Sequence, residues 1–446
     1  MTFINILIFA VALGVLVTVH EFGHLIVAKL FGIYVEKFSI GFGPKLLSYK
    51  SKTTEYRLSL LPLGGYVKMK GENADEKKPD PDSFSEKPWW QRALVTLGGP
   101  FFNLLFALFL FVIMYGLGKT YEDHYPIIAE ADSLYATYFQ PGDEIITVNG
   151  EDIYGFNQVA EKLKPKSSNV FTIERDNRKE TITTDGITPG KWVTFLRPEI
   201  PPIVGEVSPG MPAFRAGLQS EDKILEIEGF KVNKWTEMRK HIINSDKSKL
   251  EFLISRNGNQ FLKTINLEEN VLSNGRKMIG VSQYMPVSYK ERYSIGQCFV
   301  NSGKITVSFI IANYVGFYYI IKNPKMAKSS VGGPVMMYSM TKQSTSKGLD
   351  TLIGFIAALS LILMIMNLLP IPVLDGGQFF FCLIEGIKGS PLSIKVQMML
   401  QQIGIFMLLF LMVFAFYSDF SQMFSRNKSI RTDNKLQENL PVEVKE

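Results

Sequence analysis

The sequence predicts a multi-pass α-helical membrane protein with four transmembrane helices, a membrane-associated β-sheet after the first helix, and two inserted α+β domains. Three observations predict this fold class. They are apolar segments of spanning length near both ends, a repeated strand pattern in the polar middle of the chain, and a strand-rich stretch after the first apolar segment. The chain has 446 residues, is 46% hydrophobic and has a mean hydropathy of +0.09. These values fit a few spanning helices combined with a water-soluble portion.

Four apolar segments are long enough to cross a bilayer, which takes about 20 residues of helix. They cover residues 3–28, 93–118, 351–374 and 396–418. A fifth segment, residues 305–321, is 17 residues long, lies between two lysines and contains Asn313. We expect this fifth segment to be an interfacial or re-entrant amphipathic helix.

The basic residues of short loops set the orientation of a membrane protein. Twelve Lys and Arg side chains lie between the first two spans, so this loop should be cytoplasmic. Both termini and the long region 119–292 then lie on the outer side. The net charge of +6 does not indicate nucleic-acid binding, because the basic residues cluster beside apolar segments and favour contact with the lipid bilayer.

The first apolar segment contains His20-Glu21-Phe22-Gly23-His24, an H-E-x-x-H motif. Residues i and i+4 share one face of a helix, so His20 and His24 can both bind one zinc ion, with Glu21 next to them as a general base. Ionisable side chains are costly inside a membrane and generally have a function there. The alternative is a pair of helix histidines that only form hydrogen bonds with their neighbours.

A catalytic zinc ion needs a third protein ligand. His124 and His241 both lie in the exported region, on the opposite side of the membrane from the motif. Asp375 follows two prolines and precedes two glycines at the cytoplasmic end of the third span, and we predict that it is the third ligand. This pairing requires that residues 305–321 do not cross the membrane. The alternative is that Asp375 is an ordinary residue at a helix end.

The exported region contains an internal repeat. Residues 139–150 recur loosely as residues 216–229, and strand–turn–strand patterns follow at 169–183 and 250–265. Both copies resemble PDZ domains, the second more clearly through Ser208-Pro209-Gly210-Met211-Pro212-Ala213 and Ala216-Gly217-Leu218. PDZ domains bind extended peptides, often by a terminus. The alternative is that the two domains are rigid spacers.

The loop between the first two spans has strand character at residues 34–40 and 55–61. Glycine- and proline-containing stretches interrupt it at residues 41–44 and 61–66. We predict a sheet at the cytoplasmic interface, next to the zinc site, that holds a substrate in extended form. The candidate substrate-binding residues are Gly41, Gly43, Leu63, Gly64 and Gly65.

The predicted organisation has six parts. The membrane core consists of residues 1–118 and 351–420, and the two PDZ-like domains are residues 119–195 and 196–290. Residues 291–350 contain the interfacial helix, and residues 421–446 form a polar tail. Residues 73–88 are expected to be a linker. The two cysteines, Cys298 and Cys382, lie far apart and are expected to be buried free thiols.

The chain resembles the site-2 protease family of intramembrane zinc metalloproteases, and within it the bacterial type that includes the regulator-of-sigma-E proteases with tandem PDZ domains. The resemblance rests on H-E-F-G-H in the first span, on the tandem PDZ-like domains, and on Asn367-Leu368-Leu369-Pro370-Ile371-Pro372-Val373-Leu374-Asp375-Gly376-Gly377. Gly98-Gly99-Pro100 with Asn103 also matches family landmarks. The resemblance covers nearly the whole chain except the tail and the 73–88 linker.

The resemblance implies one zinc ion per chain and a location in the bacterial inner membrane. It also implies a catalytic role for Asn367 in hydrogen bonding to the substrate backbone or oxyanion. The implied substrate is a single-pass membrane protein that has been trimmed outside, such as an anti-sigma factor or a remnant signal peptide.

Two other classes of function fit parts of the sequence. A metal-ion transporter would use the histidines and Asp375 as transport ligands, but leaves Glu21 and the exported domains unexplained. An inactive scaffold would only bind peptides through its PDZ-like domains, but leaves the intact zinc motif unexplained.

Overall fold

The computed structural model describes residues 2–72, 80–165, 167–208, 211–267, 277–322 and 333–438. The chain divides into two compact units. The helical unit contains Met1–Lys119, Arg292–Phe317 and Gly333–Phe416, and the sheet-rich unit contains the remaining residues. Nearly all of both halves of the predicted membrane core therefore lies in the helical unit, and nearly all of the predicted exported region lies in the sheet-rich unit.

The helices of the described residues, in chain order, are α1 Thr2–Leu30, α2 Trp89–Leu117, α3 Gln158–Lys162, α4 Pro189–Phe195, α5 Pro212–Arg215, α6 Trp235–Asn244, α7 Ile295–Lys322, α8 Pro334–Lys347, α9 Leu349–Asn367, α10 Asp375–Lys388 and α11 Ile394–Glu438.

The strands of the described residues are β1 Val35–Lys50, β2 Glu55–Met69, β3 Lys119–Asp123, β4 Ile128–Ala131, β5 Glu144–Val148, β6 Glu151–Asp152, β7 Asn169–Arg175, β8 Arg178–Thr184, β9 Leu196–Pro198, β10 Val204–Val207, β11 Lys223–Ile227, β12 Phe230–Lys231, β13 Lys249–Arg256, β14 Asn259–Asn266, β15 Val281–Gln283 and β16 Val287–Glu291.

Within the described residues, five helices are long and apolar enough to cross a membrane, namely α1, α2, α7, α9 and α11. The sequence predicted four spans, and the additional helix is α7. This helix has 28 residues, because it begins ten residues before the apolar segment 305–321. The last helix, α11, continues to Glu438, so most of the predicted polar tail is helical, and residues 439–446 lie outside the described residues.

Helices α1 and α2 pack closely in antiparallel directions. His20 of α1 lies beside Asn103 of α2, and Gly23 lies beside Gly98. A Cβ atom added to Gly23 would overlap the Gly98 carbonyl group. Glycine at both positions therefore lets the two backbones approach, as small residues do between membrane helices.

Helix α9 also packs against α2 in the antiparallel direction, through residues other than those that contact α1. The Ser360 hydroxyl donates a hydrogen bond to the Asn103 carbonyl oxygen at 2.8 Å, and Gly354 lies against Met114. Residue numbers therefore fall along α9 as they rise along α2. The C-terminal end of α2 and the N-terminal end of α9 lie at the same end of the helical unit.

Helix α9 ends at Asn367, seven residues before the predicted end of the third span. The prolines at 370 and 372 lack the N–H donors that a helix needs, which accounts for the early end. A new helix, α10, begins at Asp375. Gly376 and Gly377 pack directly on the backbone of the intervening turn, where any side chain would overlap it. The turn thus fixes Asp375 at the first position of α10.

Strands β1 and β2 each fold back on themselves and form a sheet directly after α1. Residues 35–42 pair with 55–61 on one side and with 65–69 on the other, and residues 45–50 pair with the outer side of 55–59. Residues 65–69, here called the edge segment, are therefore one edge of this sheet. The predicted strands are present, and the sheet continues well beyond the predicted limits of 34–40 and 55–61.

The sheet-rich unit contains two four-stranded antiparallel sheets with the same connectivity. Their strand orders are β6-β5-β7-β8 and β12-β11-β13-β14. Each sheet has its own buried core, one around Phe171 and Trp192 and the other around Phe252 and Trp235. The repeat in the sequence is therefore a repeat in structure. Pro209-Gly210, part of the PDZ-like motif, lies outside the described residues.

One buried ion pair occurs at the same place in both copies. Arg175 donates two hydrogen bonds of 2.7 Å to Asp143, and Arg256 donates bonds of 2.6 and 2.7 Å to Asp222. Each aspartate is almost completely buried. The hydrogen bond with Asp143 raises the pKa of Arg175 above its usual value. In each copy, the pair joins the turn before the first strand (β5 or β11) to the last residue of the neighbouring strand (β7 or β13).

Candidate metal centre

Three possible metal ligands, His20, His24 and Asp375, meet at one point between α1 and the start of α10. The two histidine Nε2 atoms are 3.3 Å apart. One carboxylate oxygen of Asp375 lies 3.0 Å from His20 Nε2, and the other lies 3.5 Å from His24 Nε2. Both histidines are buried, and Asp375 is mostly buried. The structure thus brings together two residues of one helix with a residue some 350 positions later.

These distances fit a tetrahedral zinc ion. Zinc bonds of about 2.0–2.2 Å place neighbouring ligand atoms about 3.3 Å apart. His24 Nδ1 donates a hydrogen bond of 2.8 Å to the Val95 carbonyl oxygen, which leaves the lone pair on Nε2, facing the other two ligands. Asp375 Oδ2 is buried and faces His20 Nε2 at 3.0 Å. A lone pair and a carboxylate oxygen at this spacing match the donor set of zinc.

Gly99 of α2 provides the space for this arrangement. A Cβ atom added there would lie 2.7 Å from His20 Nε2 and closer still to His24 Nε2. The sequence marked Gly99 only as part of a family landmark. The register between α1 and α2 gives it this role, and a single sequence does not reveal that register.

Glu21 lies next to the ligands and is held by the sheet. Its Oε2 atom accepts a hydrogen bond of 3.1 Å from the backbone N–H of Val67, in the edge segment. Gly65 lies so close that an added Cβ would be 3.4 Å from Glu21 Cγ. The edge of the sheet and the H-E-x-x-H helix therefore meet at Glu21.

A cavity of about 1040 Å³ surrounds these groups. Among the predicted residues it is lined by His20, Glu21, His24, Asn367 and Asp375. The edge segment contributes Tyr66, Val67 and Met69, which the sequence did not single out.

Among the predicted glycines of the substrate-binding set, Gly65 is the one whose described surroundings include Glu21. Gly41, Gly43 and Gly64 lie within the sheet at φ angles of +87°, +86° and +154°, where glycine is needed for the backbone conformation. The backbone of Leu63 belongs to β2, and its side chain lies outside the described parts of the structure.

Residues 8–411 match Peptidase family M50. The chain belongs to this family. It is 31% identical to the regulator of sigma-E protease RseP of Escherichia coli K12, over 93% of this chain and 98% of the relative. It is also 31% identical to the regulator of sigma E protease of Haemophilus influenzae, over the same shares of the two chains. This M50 peptidase is therefore a zinc-dependent metalloprotease of membranes, and its family does not favour a transporter or an inactive scaffold.

The family and the geometry agree on the kind of chemistry at this site. His124 and His241 belong to the sheet-rich unit and are not part of the ligand cluster. Cys298 and Cys382 are buried free thiols, as expected. Cys382 lines the cavity but is not among the clustered ligands.

Proposed function

We propose that this peptidase cleaves the transmembrane segment of single-pass membrane proteins after another protease has trimmed them outside, as a step of regulated intramembrane proteolysis. The observation that carries the proposal is the convergence of His20, His24 and Asp375 beside Glu21, in a cavity at the ends of apolar helices.

His20, His24 and Asp375 are the residues that would hold the zinc ion. When bound, zinc polarises the scissile carbonyl and makes a nearby water more acidic. Glu21 takes a proton from the attacking water and passes it to the leaving amine. Asn367 reaches the same cavity from the end of α9, and its amide donates a hydrogen bond to the substrate backbone or oxyanion.

The edge segment holds the substrate. A transmembrane helix hides its carbonyl groups in internal hydrogen bonds, so the scissile bond must be in extended backbone before it can be attacked. An exposed sheet edge binds extended peptides by strand addition. Tyr66, Val67 and Met69 line the cavity next to Glu21, which supports the edge segment as the surface where this occurs.

The topology that fits this role has four spans, α1, α2, α9 and α11. The antiparallel packing of α2 and α9 requires an even number of crossings between them. Helix α8 has 14 residues, or about 21 Å, less than the hydrocarbon core of about 30 Å. A crossing by α7 would need a return helix, and the described residues offer none of that length. This supports α7 as an interfacial helix on the outer side.

The same topology puts both termini and the exported domains on the outer side of a bacterial inner membrane, with the metal centre toward the cytoplasm. The two repeated domains, taken as PDZ domains, bind peptide termini or act as a size filter that admits only substrates with a short exterior. The names of the relatives refer to regulation of sigma-E, so we infer that an anti-sigma factor or a remnant signal peptide is the substrate class.

The test is cleavage in reconstituted vesicles. The full-length peptidase is mixed with a single-pass substrate that has either a full or a trimmed outer domain, and the products are sized by mass spectrometry. We expect a zinc-dependent cut inside the transmembrane segment of the trimmed form, and little cleavage of the full form. Cleavage only outside the membrane segment would overturn the proposal. Equal cleavage of both forms would contradict the proposed size filter but not the proposed intramembrane activity.

A further inference from the structure

Asn103 lies at the centre of the contacts among three helices. Its side chain is completely buried, in the middle of α2. The amide nitrogen lies 3.1 Å from Nδ1 of His20, on α1. Its backbone carbonyl accepts the hydrogen bond from Ser360, on α9. A buried amide is costly among apolar helices, so its contact with His20 calls for a chemical explanation.

A metal-binding imidazole needs a hydrogen-bond acceptor for its second ring nitrogen, and Asn103 can supply one. A histidine that binds a metal through Nε2 carries its proton on Nδ1, and that proton needs an acceptor. For His24 the acceptor is the Val95 carbonyl oxygen. His20 Nδ1 faces the side-chain amide of Asn103.

The side-chain oxygen of Asn103 has no hydrogen-bond partner among the described residues. With the amide nitrogen toward His20, this oxygen, Oδ1, is buried. Half a turn of the amide exchanges the two arms and presents Oδ1 to His20 Nδ1 as an acceptor. The two arms occupy nearly the same space, so this turn requires little change in packing.

We propose that Asn103 is the positioning residue of His20. In the zinc-loaded protein, Asn103 Oδ1 accepts the Nδ1–H of His20 and keeps Nε2 directed at His24 and Asp375. In the metal-free protein the amide NH₂ donates to Nδ1 instead, so one side chain serves both tautomers. The inference rests on the proposed role of His20 as a zinc ligand.

The test measures zinc affinity of the full-length, detergent-solubilised protein by competition with a chelator. Asn103→Asp keeps an acceptor, while Asn103→Leu keeps the approximate shape without one, and Asn103→Ala is a second variant without one. Ser302→Ala, a buried hydroxyl on α7 away from the cavity, is the control. Visible spectra of Co²⁺-substituted protein report the ligand geometry independently of activity.

We expect Asn103→Leu and Asn103→Ala to bind zinc about 10- to 100-fold more weakly, with altered Co²⁺ spectra, and Asn103→Asp and the control to bind as tightly as wild type. Wild-type affinity in Asn103→Leu or Asn103→Ala would overturn the proposal, and so would an equal loss in all three Asn103 variants. His20→Ala is measured alongside. If His20→Ala retains wild-type affinity, the ligand assignment fails, and the proposal for Asn103 fails with it.

Discussion

The backbone N–H of Val67 donates a hydrogen bond of 3.1 Å to the carboxylate of Glu21. This contact joins the edge of the β1–β2 sheet to the helix that carries the H-E-x-x-H motif. The surface proposed to bind the substrate and the group proposed to move the proton are thus in direct contact. A strand that adds to this edge would arrive next to Glu21.

Replacing Val67 with proline tests this contact. The Val67 N–H points away from the sheet, so Val67→Pro should leave the sheet intact, as proline does at sheet edges. A hydrogen bond to a charged group contributes about 1.5–3 kcal/mol, so we expect kcat/KM to fall by about 10- to 100-fold. Cleavage kinetics and zinc content are measured together, with Val67→Ala as the control that retains the N–H. Unchanged kinetics in Val67→Pro would show that the contact has no role in catalysis.

Removing the metal should abolish cleavage reversibly. Dialysis against a chelator removes zinc, and added zinc should restore activity. Asp375→Ala removes one of the three ligands and should lower zinc affinity by at least about tenfold, whereas Glu21→Gln should leave the affinity nearly unchanged. Metal analysis of the purified variants is the measurement. A full zinc complement in Asp375→Ala at low free zinc would rule out this ligand.

Gly99 and Gly116 provide a matched pair on helix α2. A Cβ at Gly99 would overlap both imidazoles, whereas a Cβ at Gly116 has no atom within 4 Å among the described residues. We therefore expect Gly99→Ala to lose zinc and activity, and Gly116→Ala to keep both, with a stability equal to wild type or up to about 1 kcal/mol higher. Zinc content and thermal unfolding of both variants check this. Equal zinc content in the two variants would contradict the tight packing at Gly99.

The repeated ion pairs of the sheet-rich unit are expected to stabilise it. Asp222 is completely buried and accepts two hydrogen bonds from Arg256, so Asp222→Ala removes the buried carboxylate of the pair and should cost about 3–5 kcal/mol. Glu130→Ala, at an exposed ion pair with Lys234, should cost at most about 1 kcal/mol. Urea unfolding of the full chain, followed by tryptophan fluorescence, measures both. A loss below 1 kcal/mol for Asp222→Ala would show that the buried pair contributes little.

The position of helix α7 can be read by cysteine labelling. Cys298 and Cys382 are first replaced with serine, and a single cysteine is then placed at Lys322. We expect an impermeant thiol reagent to label Lys322→Cys from the outer side of intact cells. Lys50→Cys, in the β1–β2 sheet, should react only after the membrane is opened. Labelling of Lys322→Cys only in opened cells would place the end of α7 in the cytoplasm and contradict the four-span topology.

The sequence predicted the parts of the site that depend on local spacing or on membrane topology. His20 and His24 share a face because of helix geometry, and the meeting of these residues with Asp375 followed from orientation. The prolines before Asp375 indicated the break in the third span, although the helix ends earlier than expected. Asn103 and Gly99 act through the register between α1 and α2. No local pattern encodes that register, so their contacts needed the structure.

For the sheet as well, the sequence predicted the strands but not the contacts between them. Alternating residues and glycine turns predicted strands after the first span, but pairing determines which segment becomes the edge. Three of the glycines singled out as substrate-binding residues have positive φ angles within the sheet, and their contact with a substrate stays a prediction. Tyr66 and Val67 reach the cavity because the chain folds back twice before them. The internal repeat was visible in the sequence, because each copy retains the same order of turn and strand.

The most direct test of Glu21 as the general base of a zinc peptidase compares wild type with Glu21→Gln in reconstituted vesicles that contain a trimmed single-pass substrate. Zinc content and intramembrane cleavage are measured on the same samples. We expect Glu21→Gln to keep one zinc ion per chain and to lose cleavage by at least about 100-fold, because general acid–base catalysis contributes about 10²- to 10⁴-fold. Cleavage at the wild-type rate by a zinc-loaded Glu21→Gln protein would contradict this role of Glu21.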